Sequence, residues 1–174
     1  MRDYLQDAAL ELRKTKALAD KAMAQVSDAD FFRSLDAETN SIALVVKHLA
    51  GNMRSRWTDF LTTDGEKPDR NRDSEFVLEA ADTRPQLLAR WENGWQLVFD
   101  AIEPLGAADL DRIVTIRTEP HTVMQAINRQ LAHYPYHVVQ IVLLAKHLAG
   151  ASWKQLIVPR GKSEEWNAAA RRPS

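Results

Sequence analysis

The sequence predicts an all-α protein, a four-helix bundle. Four long segments repeat their apolar residues at helical spacing, and only one short stretch alternates like a strand. Turn signals, Asp64-Gly65, Pro68, Pro104 and Gly106, separate the segments. A chain of 174 residues reads as one domain, 1–174, around a single core.

Residues 3–25 place Leu5, Ala8, Ala9, Leu12, Leu18, Ala19, Ala22 and Met23 between charges, which is one amphipathic helix. The segment 27–40, SDADFFRSLDAETN, reads as a connection whose Phe31-Phe32 packs on the core. Asn40 or Ser41 caps a second helix over about 41–61, SIALVVKHLAGNMRSRWTDFL. Residues 62–82 carry the turn signals Asp64-Gly65 and Pro68 in a polar stretch. A loop of that length is functional or packed in its own right. Thr83 precedes Arg84-Pro85 as an N-cap with proline in the first turn, opening a third helix to about 103 that Pro104 and Gly106 end. RIVTIR, 112–117, alternates and is β-branched, so it reads as half of a hairpin in an irregular insertion near 108–118. The last helix covers about 120–149 and stops at Gly150. The tail, 151–174, reads as a short strapped segment. Val138, Val139, Ile141, Val142, Leu143 and Leu144 make the last helix apolar on more than one face, so it is central or also faces a partner chain, which predicts a homodimer.

Composition excludes several functions. The net charge is -1, and Arg70 and Arg72 alternate with Asp69, Asp73 and Glu75, a salt-bridged surface loop rather than a phosphate track. No nucleic-acid partner is expected. There is no cysteine, hence no disulfide, thiolate site or cysteine nucleophile. Neither a phosphate-cradling glycine loop nor a G-x-S-x-G elbow is present. The apolar runs are too short to span a bilayer, and the charged start, MRDYLQDAALELRKTK, has no signal-peptide core. A cytoplasmic protein without membrane contact is the expectation.

The chemistry rests on histidine. His133 and His137 stand one turn apart and can reach one ion, although the pair alone fits better two core-edge histidines bonded to carbonyls. His48 lies in an otherwise apolar helix with Asn52 and Arg56 on successive turns, a polar ridge that needs a reason. A third imidazole meeting the other two across the bundle supplies it, and three histidines leave a coordination position for water or substrate. KHLAG occurs twice, but His147 lies ten positions beyond His137, about 15 Å along a helix, and is out of reach. His121, twelve positions before His133, belongs to the first turn of its helix. Helical spacing makes Asn52, Arg56 and Gln140 the nearest polar candidates for a pocket around the ion.

The stretches SIALVVKHLAGNMRSRWTDFLTTDGEKPDRNRDSEF and HTVMQAINRQLAHYPYHVVQIVLLAKHLAG, with the tail WKQLIVPRGKSEEWN, resemble the DinB/YfiT-like metalloenzyme superfamily, in a bacterial branch of it. The resemblance implies an up-down-down-up four-helix bundle, often dimeric. It also implies a divalent ion, usually nickel or zinc, held by one histidine of the second helix and two of the last, which fall on His48, His133 and His137. Some members are similar to transferases that join bacillithiol, mycothiol or glutathione to electrophiles; others are hydrolases or isomerases. The expectation is thus a metal-dependent transferase or hydrolase acting on a small molecule, the transferase with a low-molecular-weight thiol as cosubstrate. The alternative is a non-catalytic dimeric helical protein that binds a partner or serves in stress. Pro135 between the two ligand candidates predicts a kink. Val139 stands where relatives carry glycine, which predicts a narrowed helix contact.

Overall fold

Asp3 starts the first helix, α1 (Tyr4–Met23), through a capping box with Gln6: each side chain accepts the other's backbone N–H. The structure, a computed structural model, describes residues 3–170. The first two residues of the chain and the end of the predicted tail, 171–174, lie outside the described residues.

The segment read as a plain connection contains a short helix, α2 (Asp28–Phe32). Ser27 caps it by accepting from Asp30 N, acidic residues favour its N-terminus, and Phe31 is fully buried. The next helix, α3 (Ile42–Trp57), is capped by Ser41 and ends four residues earlier than the apolar pattern suggests. There Thr58 turns extended while its hydroxyl donates to the Arg54 carbonyl. Pro85 opens α4 (Arg84–Ile102). The loop between α3 and α4 holds a 3-10 turn over Asp73–Phe76. Near its end Asp82 is buried and accepts from Lys47 of α3 at 2.6 Å, from Arg90 of α4 at 2.9 Å and from Glu79 N. One carboxylate thus ties two helices to the loop between them.

The insertion is a complete hairpin, β1 (Ile113–Ile116) paired antiparallel with β2 (Glu119–Thr122). Arg117 and Thr118 form its two-residue turn with φ of 55° and 66°, the handedness that matches strand twist. The turn is held by Asp64, whose carboxylate accepts both backbone N–H groups at 2.8 Å. The last helix therefore begins at Val123, not 120. Thr122 and Gln125 form its capping box, and His121 belongs to β2 rather than to a helical turn. This helix, α5 (Val123–Ala149), runs unbroken through Pro135 and ends at Gly150. In the tail a last helix, α6 (Ser163–Ala170), follows an irregular strap.

Packing pairs α3 with α4 and α1 with α5, and narrower contacts join α3 to α5 and α1 to α4. The core between them is filled by Leu12, Ile42, Leu49, Met53, Trp91, Trp95, Ile127 and Tyr134. The protein is mostly helical with one small sheet. Tyr136, Val139 and Leu143 form an exposed apolar stripe on α5, so Val139 narrows no helix contact. Among the described residues no helix is long and apolar enough to cross a membrane.

Candidate metal centre

His48 projects from α3, and His133 and His137 project from one side of α5, where α3 and α5 touch. One ligand nitrogen from each lies within 4.8 Å of the others, and the ring centroids stand 4.7–5.7 Å apart. Nitrogens sharing one ion at about 2 Å stand somewhat closer, so modest ring movement closes the set. Pro135 leaves the carbonyl of Leu131 without its usual donor, yet the two α5 imidazoles still face one point.

Each ring is held differently. His48 Nδ1 lies 2.8 Å from Glu75 Oε2, which leaves its other nitrogen for the cluster. The ring stacks on Phe76 at 4.8 Å. His137 Nδ1 lies 3.4 Å from the Gln140 side-chain amide. His133 Nδ1 is buried with no hydrogen-bond partner in the protein. A buried imidazole nitrogen left unpaired is costly, and a metal ion near it is the kind of partner that donor set fits. Burial, then the neighbouring imidazoles, lowers the pKa of His133 to about 3 and that of His137 to about 4. Both rings are therefore neutral at physiological pH with lone pairs free, as a ligand must be.

Behind His48 lies a buried ion pair. Arg70 donates to both Glu75 oxygens, Nε at 2.8 Å and Nη2 at 3.0 Å, and the two side chains are only 2% and 8% exposed. Burial alone would raise the Glu75 pKa. The hydrogen bonds from His48 and Arg70, with the Arg70 charge, outweigh it and hold the carboxyl below its usual range. This corrects the reading of the 69–75 segment as a surface loop: Arg54–Asp69 is a surface pair, but Arg70–Glu75 is interior. Gly51 explains how Glu75 gets so close. A Cβ at position 51 would lie 2.8 Å from Glu75 Cδ, so the first KHLAG carries glycine to admit a carboxylate. The same glycine, in the middle of a strongly apolar helix, was the one sequence signal of that approach.

The other predicted pocket residues divide. Asn52 and Arg56 line the cavity beside the histidines. Asn52 Oδ1 also accepts from Tyr134 OH at 3.4 Å, and the Tyr134 oxygen accepts from Trp57 Nε1 at 2.7 Å. Arg56 donates to the Gly65 carbonyl and to Glu66. Gln140 does not line the cavity and contacts the site only through His137. His147 is exposed in the last turn of α5, away from the cluster.

Fold and site together define a class: a mostly helical protein whose three-histidine group could hold a metal ion. The chain belongs to the family described as "Protein of unknown function (DUF1572)", whose profile matches residues 1–162. Neither a curated protein nor a solved structure matches it.

Proposed function

We propose that this chain is a divalent-metal-dependent enzyme of the DinB/YfiT-like superfamily, built on that superfamily's up-down-down-up four-helix bundle. The observation that carries the reading is the convergence of three histidines from two helices, two of them neutral by burial, with a carboxylate fixing the third. Nickel and zinc both suit an all-imidazole donor set. When bound there, the ion would lower the pKa of water or a thiol and supply a nucleophile near neutral pH. The reaction class is group transfer from a low-molecular-weight thiol, or hydrolysis. Glu75 keeps His48 in one tautomer and orientation, as carboxylates behind ligating histidines do. Asn52 and Arg56 face the substrate, and Gln140 orients His137 from behind. The test is elemental analysis of the purified protein and of His48→Ala. The wild type should carry nickel or zinc in proportion to chain, and the variant should lose it. Equal, near-zero metal in both overturns the proposal.

The exposed stripe of Tyr136, Val139 and Leu143 favours a second copy of the chain against α5. It is also what a non-catalytic dimeric binding protein would present. Sedimentation at increasing concentration should show a dimer that Leu143→Asp dissociates; a wild type that stays monomeric removes the homodimer.

A further inference from the structure

The cavity against the histidines measures about 420 Å3, a size that suits a small ligand. Besides His48, His133 and His137 it is lined by five arginines, at 56, 70, 72, 117 and 129, and among the described residues by no carboxylate. Glu66 and Glu75 pair with Arg56, Arg70 and the Nε of Arg117. Arg72 and Arg129 have no carboxylate partner among the described residues; Arg72 instead lies over the Phe76 ring at 5.1 Å. Five guanidinium groups against two carboxylates is a concentrated positive field in a chain whose net charge is -1.

Two further observations point into the same cavity. Gln130 lines it at 2% exposure, and its Oε1 is buried without a hydrogen-bond partner. An amide oxygen is an acceptor, so what it lacks is a donor, a hydroxyl or N–H that the protein does not provide. Arg117 reaches the cavity from the hairpin turn, whose two amides Asp64 binds. Its guanidinium contacts Glu66 through Nε at 3.0 Å and stays half-exposed.

We propose that this cavity binds the carboxylate or phosphate group of an acidic small molecule. Arg72, Arg117 and Arg129 hold the oxyanion, since guanidinium groups match planar and tetrahedral oxyanions through paired donors. Gln130 Oε1, an acceptor, takes a hydroxyl or N–H elsewhere on the ligand rather than the oxyanion, and so fixes the ligand's orientation. As a statement about substrate this rests on the reading of the histidines as the reactive centre: the acidic end docks on the arginines and the reacting end lies at His48, His133 and His137. It selects acidic substrates and disfavours neutral or cationic analogues of the same shape.

The test is calorimetric titration with inorganic phosphate, succinate and the neutral succinamide, at low and at physiological salt. Three samples are compared: the protein as purified, the same protein stripped by a chelator, and Arg72→Gln/Arg129→Gln. Metal content is measured on each. Phosphate or succinate should bind the purified protein, more weakly as salt rises, and succinamide should not. Binding should persist after stripping. In the double variant it should weaken about tenfold or more with metal content unchanged. Phosphate against succinate tells which oxyanion the cavity prefers. The proposal is overturned if neither anion binds, if succinamide binds as well as succinate, if the double variant binds like wild type, or if binding disappears with the metal. A chain that holds no metal yet binds the anion through these arginines would overturn the metal reading alone.

Discussion

Arg70→Met lowers the stability of the protein by about 3–5 kcal/mol, the cost of leaving one charge of a buried pair without its partner. The reason is local. Arg70 and Glu75 are both interior, joined by two hydrogen bonds, and Glu75 also receives His48. Removing the guanidinium strands a carboxylate beside an imidazole in a place water barely reaches. Urea unfolding of the metal-stripped protein measures the effect. Arg70→Met/Glu75→Leu should recover much of the loss, because removing both partners leaves no unpaired charge. The sign of the pH dependence follows from the depressed Glu75 pKa. A carboxyl lowered in the folded state contributes stability that is present above the ordinary carboxylate pKa and is lost as pH falls through the lowered value. In Arg70→Met one of the two lowering partners is gone while His48 remains, so acid destabilisation should begin at higher pH than in the wild type. An Arg70→Met protein as stable as wild type at neutral pH would show that the pair contributes nothing net.

How far the sequence displays this site depends on which interaction is asked for. Apolar periodicity places α1, α3, α4 and α5, because each buries a continuous stripe and that demand is written every three or four residues. The same periodicity puts His48 on a buried face and sets His133 and His137 one turn apart, so their convergence is legible. Short elements are not. α2 and β2 are a few residues each, stabilised by one cap, one buried phenylalanine or one docked turn, contacts made with distant parts of the chain. Pro120 reads like a first-turn helix residue, yet it pairs with Thr115 across a two-stranded sheet, where a missing N–H is tolerated. The carboxylate behind His48 is hidden for a different reason. Arg54–Asp69 and Arg70–Glu75 are the same chemistry in the same stretch of sequence, but the first pair is 50% and 68% exposed and the second is interior. Charge order along a loop does not encode which side faces the core. Only the glycine opposite records it.

Gly51→Ala should therefore act against its own helix propensity. In an ordinary helix interior that change stabilises by about 0.5–1 kcal/mol. Here the added Cβ would lie 2.8 Å from Glu75 Cδ and closer still to one carboxylate oxygen. The carboxylate cannot swing away freely, since Arg70 grips both its oxygens and His48 takes one of them. Something in that chain must give, and the weakest consequence is a displaced Glu75 that no longer orients His48. The expected result is lower stability than wild type in urea unfolding and a metal affinity reduced about 10- to 100-fold, the range for losing a carboxylate behind a ligating histidine. Competition against a chromophoric chelator measures it, and Glu75→Gln should move the affinity in the same direction. The glycine of the second KHLAG gives the control. A Cβ at Gly150 meets nothing within 4 Å, but its φ of 53° strains any side chain. Gly150→Ala should thus cost about 1 kcal/mol through the backbone alone and leave metal affinity unchanged. If Gly51→Ala instead gains stability and holds metal as tightly as wild type, Glu75 does not govern His48. The same pentapeptide then serves both helices merely as helix.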